Sequence, residues 1–487
     1  TMIKNIEIFE HTPVPKAVFK FALPTVLSMI VTVLYNMVDA FFVGQTGDPS
    51  QFAAVNVATP IFLFLMAAGN IFGMGGSSFI SRALGEKNYK KVKNIASFCF
   101  YSGIFTGFLG LFLILFNMEG ILKMIGTTQT TAQFARDYLK YIAYGGPAIV
   151  ISTAYTNIIR GEGASQNSMV GLIAGTAVNI VLDPIFILDS FLGIPGLGLG
   201  VKGAAIATVI ANIVTIVIYL AHVLSKNSTL TINPKYFKIS NGILLGVLAI
   251  GLPASLTNIL MSLSSILTNN LLASYYSVPV VSEKLLPLIK TFIDGTAVYG
   301  DIPVAAMGVA LKANMLTIFI QLGLGIGIAP LIGYNYGAKN SMRVKKIVNF
   351  SILVNVVLGV TLTVLYIIFA KPIINIFSDD PAVVAMGVDI IYALMSSAPF
   401  IGIMFVLNFT FQGMGKGLQS LVLAVSRQGF VFLPAILIMQ KLLGLNGIIF
   451  AQPFADAVAV LIAVGMFLFL LKDLKTEEKT VSSQTNE

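Results

Sequence analysis

Long apolar runs recur along this sequence and constrain its fold more than any other feature. No side chain from Phe21 to Val38 carries a charge, and Asp39 is the only charged residue between Phe21 and Gly44. About 20 apolar residues in a helix cross the hydrocarbon core of a bilayer. The sequence therefore predicts an all-α membrane protein with twelve transmembrane helices, at residues 18–44, 52–80, 95–117, 133–158, 167–190, 201–224, 242–275, 303–334, 346–371, 383–411, 418–440 and 446–471.

The composition agrees with a chain that faces lipid. Of its 487 residues, 56% are hydrophobic and 10% are charged, whereas soluble domains carry about 25% charged residues. The net charge of +9 therefore indicates cationic loops and not nucleic-acid binding. A single cysteine, Cys99, excludes an internal disulfide, and two isolated histidines argue against a metal site. The first run is too long to be the apolar region of a cleavable signal peptide.

Lysine and arginine are distributed unevenly between the two sides of the predicted membrane. Twenty of the 30 basic residues lie in the connections on one side, most densely at residues 82–93 and 339–346, and eight lie on the other side. Basic connections face the cytoplasm. We therefore expect a multi-pass protein of the cell membrane (inner or plasma membrane) with both termini in the cytoplasm.

Two stretches of the sequence recur later in the chain at one constant spacing. Residues 73–93 match 325–345, and residues 147–163 match 399–415. One spacing shared by separate stretches predicts a duplication of six spans. Because six is even, both halves enter the membrane in the same sense. We therefore predict two six-helix lobes that form a parallel repeat, with a pseudo-twofold axis along the membrane normal, a plan known from secondary transporters.

The spans and the repeat together predict the domain boundaries. The order is a cytoplasmic N-terminal segment at 1–17, a first lobe at 18–225, a cytoplasmic linker at 226–241, a second lobe at 242–471 and a cytoplasmic tail at 472–487. The second lobe carries an extracellular insert at about 276–301 that has no counterpart in the first.

Several polar side chains reach the same depth in the first lobe. At about 1.5 Å per helical residue, Asp39 and Asp183 lie about 8 to 10 Å from the outer ends of spans 1 and 5. Thr208 lies about 10 Å down span 6 from the same side. Asn179 precedes Asp183 by four residues and so shares its helix face. Two carboxylates, an amide and a hydroxyl are thus predicted to lie at one level.

The first lobe has no lysine or arginine at this depth in its spans. An unpaired charge inside the membrane costs about 2.5–3.5 kcal/mol even on the insertion scale. We therefore interpret this level as a site for an exchangeable cation, H⁺ or Na⁺, formed by Asp39, Asn179, Asp183 and Thr208, with Tyr35 and Asn36 as supporting groups on the Asp39 face. The alternatives are an aspartic acid that donates to a carbonyl of a neighbouring helix, and an Asp183 that reaches the headgroups beside Pro184.

The second lobe has basic residues within its spans. Arg427 in span 11 and Asp456 in span 12 both lie near the membrane midplane, where they can pair, and Lys312 in span 8 lies at similar depth. Such a polar network between helices is either structural or handles substrate or ions.

Other kinds of activity lack their sequence signatures. There is no G-x-x-x-x-G-K-[ST] motif for ATP binding. No constellation for enzymatic catalysis is present, so we expect neither an enzyme nor a cofactor beyond the coupling cation. No metal site is predicted apart from a possible site for Na⁺.

Short motifs in a fixed order carry a family resemblance. They are "LP" at 23–24 and 252–253, "RGEG" at 160–163, "NIVLDP" at 179–184 and "QGMG" at 412–415. Over about residues 18–471 the sequence resembles the multidrug and toxic compound extrusion (MATE) family. The resemblance implies a V of two lobes around a central cavity, and cation influx that drives efflux of small lipophilic, often cationic drugs. We expect the protein to act as a monomer in the lipid bilayer.

The resemblance also implies roles for particular residues. It places the family's cation site on Asp39, Asn179, Asp183 and Thr208, and a hinge of helix 1 near Pro24. Another branch of the family has an acidic cation site in the second lobe, where this sequence has Lys312 and Arg427, which argues against Na⁺ binding there. Two other interpretations stay open: a lipid-linked oligosaccharide flippase of the same superfamily, which usually has more spans and a basic cavity, and a scaffold or receptor, for which no dedicated domain is present.

Overall fold

The protein is almost entirely helical in the computed structural model, which describes residues 7–191, 193–239, 242–278, 292–293 and 296–484. In chain order the α-helices of the first half are α1 (Val14–Gly44), α2 (Pro49–Gly85), α3 (Tyr89–Phe116), α4 (Met118–Met124), α5 (Ala132–Tyr144), α6 (Gly146–Gly161), α7 (Ser165–Ile187) and α8 (Val201–Val223). Those that follow are α9 (Ile243–Ala273), α10 (Ile302–Gly337), α11 (Ser341–Asn375), α12 (Pro381–Met395), α13 (Ala398–Gly413), α14 (Gly417–Val425), α15 (Phe432–Leu443) and α16 (Leu445–Gln484).

Most of these helices are suited to a bilayer. Among the described residues, ten helical segments are long and apolar enough to cross a membrane, and the pair α12 and α13, bent by 51°, makes an eleventh. The remaining predicted span, 133–158, is divided at Gly145 into α5 and α6. Its first part is amphipathic because it carries Arg136, Asp137 and Lys140. The chain is therefore an all-α, multi-pass membrane protein.

Strands are confined to two short hairpins in the described residues. β1 (Ser190–Phe191) pairs antiparallel with β2 (Ile194–Pro195) between α7 and α8. β3 (Phe292–Ile293) pairs antiparallel with β4 (Thr296–Ala297) between α9 and α10. The second hairpin belongs to the predicted insert at 276–301, most of which lies outside the described residues.

The repeated sequence folds into repeated corners. Lys87 and Lys339 both have φ of +57°, a left-handed conformation that ends the preceding helix. The next residue then starts a new helix: Asn88 accepts from the backbone N–H of Lys91 at 3.0 Å, and Asn340 accepts from that of Arg343 at 3.1 Å. The two corners lie on one side of the helices, called here the basic face; the other side is called the opposite face.

The chain divides into two compact units. Unit 1 contains residues 1–255, 327–344 and 412–417, and unit 2 contains 256–326, 345–411 and 418–487. Unit 1 thus includes the predicted first lobe and linker, together with the first part of α9, the start of α11 and the basic-face ends of α10 and α13. The core of unit 1 is built around α2, α5 and α6, and the core of unit 2 around α10, α12 and α16.

Within unit 1, equivalent residues of the two repeats meet each other. Gly85 packs against the carbonyl oxygen of Tyr334, and Gly337 packs against that of Arg82. Position 334 is the repeat equivalent of position 82, and 337 is that of 85, so the contact is reciprocal. Reciprocal contacts of this kind are the mark of a twofold axis. A Cβ on either glycine would overlap the facing backbone, which explains why both are glycine.

The N-terminal segment is packed into unit 1 at the basic face. The Phe9 ring stacks on Tyr334 with centroids 4.4 Å apart. Arg343 donates from Nε to the Phe9 carbonyl at 2.8 Å and from Nη2 to the Thr12 carbonyl at 2.6 Å. Tyr334 donates to Glu10 Oε1 at 2.7 Å. These bonds satisfy backbone groups that precede α1.

Candidate cation site in unit 1

The candidate site lies toward the opposite-face ends of α1, α7 and α8. Asp39 lies five residues before Gly44, where α1 ends. Its side chain is half-buried, and so is that of Tyr35, one helical turn earlier, whereas Asn36 is exposed. The predicted common face of α1 thus presents a carboxylate and a phenol toward the protein, with the amide at its edge.

Asp183 is the most enclosed acid of the site. It is 0% exposed, and Asn179 donates from Nδ2 to its Oδ1 at 2.5 Å. The other oxygen, Oδ2, is buried and has no hydrogen-bond partner within the described structure. Across the same described residues, neither Asp183 nor Asp39 forms an ion pair. A buried carboxylate oxygen with nothing to accept from is costly, and a bound proton or cation relieves that cost.

Thr208 of α8 joins α1 to α6 through a chain of hydrogen bonds. Its hydroxyl lies 3.4 Å from the Tyr35 hydroxyl. Its carbonyl accepts from Asn212 Nδ2 at 2.8 Å, and Asn212 Oδ1 accepts from the Ser152 hydroxyl at 2.5 Å. Because Thr208 is 5% exposed, its hydroxyl is held at the site and cannot turn to water.

Tyr138 of α5 is a member of the site that sequence reasoning missed. It is 7% exposed and lies within electrostatic range of both Asp39 and Asp183. Its helix is amphipathic, with Ala135, Leu139 and Ile142 also on the buried face. A tyrosine on that buried face was the only signal in the sequence, because the proximity of α5 to the two acids depends on how the helices pack.

The loop after α7 closes the opposite-face end of the site. α7 continues through Pro184 to Ile187. Its last carbonyls then accept from the following loop: Leu197 N–H donates to Ile185 at 2.7 Å, and Leu199 N–H donates to Phe186 at 2.9 Å. The Phe191 ring of β1 packs edge-on against Phe42 of α1, with centroids 5.4 Å apart. The loop therefore satisfies the helix end and ties it to α1.

Two hydroxyl side chains in the proposed hinge region of α1 bond back to carbonyls of the preceding turn. α1 is a continuous helix that includes Pro24, which lacks the N–H that a helix interior needs. Ser28 donates from its hydroxyl to the Pro24 carbonyl at 2.8 Å, and Thr25 donates to the Phe21 carbonyl at 3.1 Å. Back-bonding of this kind weakens and bends helices.

The polar residues predicted in the second lobe are only partly brought together, all within unit 2. Arg427 Nε donates to Asp456 Oδ1 at 2.8 Å, so these two pair. Lys312 is exposed on α10 and forms no ion pair with any described residue. Ser397 and Gln452, which sequence reasoning did not single out, complete the shell around Asp456.

The site of unit 1 offers oxygen atoms and no basic partner. Two carboxylates, an amide and hydroxyls are the ligands that hard cations such as Na⁺ take, and a proton neutralises the same carboxylates. The described residues contain no group of three or more His, Cys, Asp or Glu that could hold a metal ion. Acidic residues enclosed in a helical membrane protein mark ion or substrate pathways, so the fold and this site together fit the class of transporters.

The comparison with family models agrees with the repeat. The model described as MatE matches residues 24–185 and again 277–437. The chain belongs to the MatE family. The offset between the two matches is nearly the same as the offset between the repeated stretches of sequence. The predicted duplication is therefore confirmed. The MatE family comprises multi-pass membrane transporters, and the fold class predicted from the sequence is confirmed with it.

Individual relatives match along nearly the whole chain. "Multidrug export protein MepA" of Staphylococcus saprophyticus is 30% identical over 476 residues, covering 98% of both chains. The protein of the same name from Staphylococcus aureus strain MRSA252 is 29% identical and covers 97% of both. Among solved structures, a multidrug resistance MATE family transporter in an outward-facing conformation aligns with a TM-score of 0.86 at 24% identity, covering 97% of this chain and 99% of that one. A MATE in the bent conformation aligns with a TM-score of 0.84, covering 98% of this chain and 99% of that one.

Proposed function

We propose that this chain is a secondary active exporter of small lipophilic, cationic drugs, coupled to influx of H⁺ or Na⁺. It would lie in the cell membrane with both termini in the cytoplasm and act as a monomer. Relatives named multidrug export proteins support the substrate class. The excess of basic residues in one set of connections supports the orientation.

One observation carries the coupling proposal. Asp183 is fully enclosed, with Asn179 on one oxygen and nothing on the other, and no described residue supplies a positive charge. In a membrane interior a permanently bare carboxylate is costly. A small cation that enters from one side and leaves on the other would satisfy the carboxylate in alternation, which is what coupling to a gradient requires.

Occupation of the site would be transmitted through α1. Asp39 and Tyr35 lie on α1, and Tyr35 contacts Thr208 of α8. A cation that bridges α1 to α7 and α8 would favour one packing of α1 over another, and the helix can bend near Pro24, where a backbone N–H is missing. Drug release would then follow from the change in α1, or from competition of the drug for the same carboxylates.

The decisive experiment combines an imposed gradient with a variant. Purified protein in proteoliposomes would be given a ΔpH or a Na⁺ gradient, and ethidium movement would be followed by fluorescence. One gradient should drive transport in the wild type, and Asp183→Asn should abolish driven transport while the protein still inserts and purifies. The expected loss is large because the variant cannot exchange charge with the cation.

The matched control is Asp380→Asn. Asp380 caps α12 by accepting from the Ala382 N–H at 2.9 Å, and asparagine caps equally well. This variant should transport as the wild type does. Full ethidium export by Asp183→Asn would overturn the assignment of the site, and transport that depends on neither gradient would overturn coupling.

A further inference from the structure

Arg427 lies in an irregular turn that unit 2 holds in place. Residues Ser426–Phe430 form a π-helix between α14 and α15, and the Val431 N–H donates to the Ser426 carbonyl at 3.0 Å. The Ser264 hydroxyl of α9 donates to the Gln428 carbonyl at 2.9 Å, which satisfies an acceptor of the wide turn. Short π-helical segments inside α-helices occur frequently at functional sites.

The partner of Arg427 is fully satisfied. Asp456 is 2% exposed and accepts three hydrogen bonds. Arg427 Nε and Gln452 Nε2 each donate to Oδ1 at 2.8 Å, and the Ser397 hydroxyl donates to Oδ2 at 2.9 Å. The carboxylate is thus fixed by three segments of chain: the π-helix, α16, and the turn between α12 and α13.

Arg427, in contrast, uses only part of its guanidinium. It bonds Asp456 through Nε alone, and its terminal nitrogens Nη1 and Nη2 form no hydrogen bond with any residue that the structure describes. They also retain accessible surface, unlike Nε and Nη2 of Arg160, which are enclosed without a partner. The Phe405 ring covers one face of the guanidinium, 5.2 Å from its carbon. Arg427 is 6% exposed, and the Nη1–Nη2 edge is the part of its guanidinium that no described residue engages.

We propose that this edge of Arg427 binds the carboxylate of transported molecules that carry one. The two terminal N–H groups form a planar fork that matches the two oxygens of a carboxylate. Asp456 holds the fork at a fixed angle and balances its charge in the membrane while the site is empty. This inference rests on the proposed export function and assigns Arg427 as the residue that would hold the carboxylate of a zwitterionic substrate.

The depth of Arg427 favours a transported molecule over a lipid. Arg427 lies ten residues into the segment that starts at Gly417, and Asp456 lies eleven residues into α16. At about 1.5 Å per residue each is about 15 Å from its helix start, half the roughly 30 Å thickness of the hydrocarbon core. Phosphates of lipid headgroups lie at either surface and do not reach this level.

A matched pair of probes tests the proposal. Tetramethylrhodamine has a free carboxylate, and its methyl ester has the same cationic ring system without that charge. Dissociation constants for both would be measured by fluorescence anisotropy on purified full-length protein. The informative quantity is the ratio of the two dissociation constants, since a general disturbance of unit 2 changes both.

The variant should remove the fork without leaving a buried charge. The double variant Arg427→Gln/Asp456→Asn neutralises both partners, which avoids the cost of one unpaired ion. We expect the dissociation constant of the carboxylate probe to rise, relative to that of the ester, by on the order of tenfold or more. This is the effect of losing a charge-assisted hydrogen bond. Asp456→Asn alone keeps Arg427, so the ratio should stay at its wild-type value or favour the carboxylate probe further.

The outcomes separate this inference from the export proposal. An unchanged ratio in the double variant, or a wild type that binds the ester but not the carboxylate probe, would overturn it. Transport of the methyl ester by wild-type proteoliposomes under a cation gradient tests export independently. If the ester is exported but the ratio of the two dissociation constants is the same with and without Arg427, only the inference about the carboxylate fails. If the ester is not exported under either gradient, the proposed function fails.

Discussion

At the scale of single residues, the two acids of the candidate cation site have different surroundings. Asp183 is enclosed and already accepts from Asn179, whereas Asp39 is half-buried on α1. A cation that arrives would meet Asp39 at the accessible edge and Asp183 at the closed end. Tyr138 lies within electrostatic range of both and is itself buried, so the dipole of its hydroxyl contributes to the electrostatics of the site.

Replacement of Tyr138 by phenylalanine should weaken the site without disturbing the core. The ring stays in the buried apolar cluster of unit 1 that contains Leu65 and Ile149, and only the hydroxyl is lost. We expect the coupling-cation concentration for half-maximal transport to rise about three- to tenfold, the equivalent of one net hydrogen bond. The matched control is Tyr144→Phe at the exposed end of the same helix. An equal rise in both variants, or none in Tyr138→Phe, would contradict a role for the Tyr138 hydroxyl.

The sequence predicted residues at one depth but not those that approach from the side. Asp39, Asn179, Asp183 and Thr208 could be selected because the constant rise per residue of a helix converts numbering into depth. Tyr138 could not, since its contact with the acids depends on the rotation and tilt of α5. The same reason hides Ser397 and Gln452, whose bonds to Asp456 depend on tertiary packing.

At the scale of helices, the breaks carry as much information as the spans. Apolar length predicted most spans well, but the span at 133–158 is divided at Gly145 and the α12–α13 pair bends by 51°. The two breaks lie at equivalent positions of the repeat: one is at Gly145 in the first half, and the other is between Met395 and Ala398 in the second. A window of mean hydropathy averages over such a break and cannot show it.

Replacement of Pro24 by alanine should stiffen α1. Alanine restores the missing N–H and removes a penalty of about 3 kcal/mol for proline within a helix. A straight α1 gains that stability, and a bent α1 does not. Since about 1.4 kcal/mol corresponds to tenfold in population, we expect transport to fall about tenfold or more while the melting temperature in detergent stays equal or rises.

The control for the hinge is Pro60→Ala, an interior proline of α2. It should raise helix stability in the same way but leave transport largely intact, because α2 carries none of the cation-site residues. Wild-type transport rates in Pro24→Ala, with normal insertion, would show that α1 need not bend there.

At the scale of the whole chain, the repeat explains why unit 1 recruits parts of the second half. Residues 327–344 and 412–417 belong to unit 1, and the Ser78 hydroxyl donates to the Gln412 carbonyl there. Ser81 and Gly333 occupy equivalent positions in the two repeats and lie against each other, so they mark the local twofold axis. The repeated spacing of glycines in the sequence predicted a twofold axis. It could not predict the residues that meet on this axis, because those contacts depend on the packing of the helix ends at the basic face.

This packing must open if the protein alternates between two accessible sides, and a cross-link across it tests that requirement. A Cβ at position 333 would lie 3.1 Å from Ser81 Cβ, a few tenths of an ångström inside the roughly 3.5–4.5 Å range of disulfides. Ser81→Cys/Gly333→Cys, in a Cys99→Ala background, should therefore form a disulfide on oxidation. We expect the oxidised protein to lose driven ethidium transport and the reduced protein to recover it, with each single-cysteine variant insensitive to oxidant. The cross-linked fraction would be measured by the mass of a peptide digest, and transport that persists in fully cross-linked protein would show that these helix ends stay together throughout the cycle.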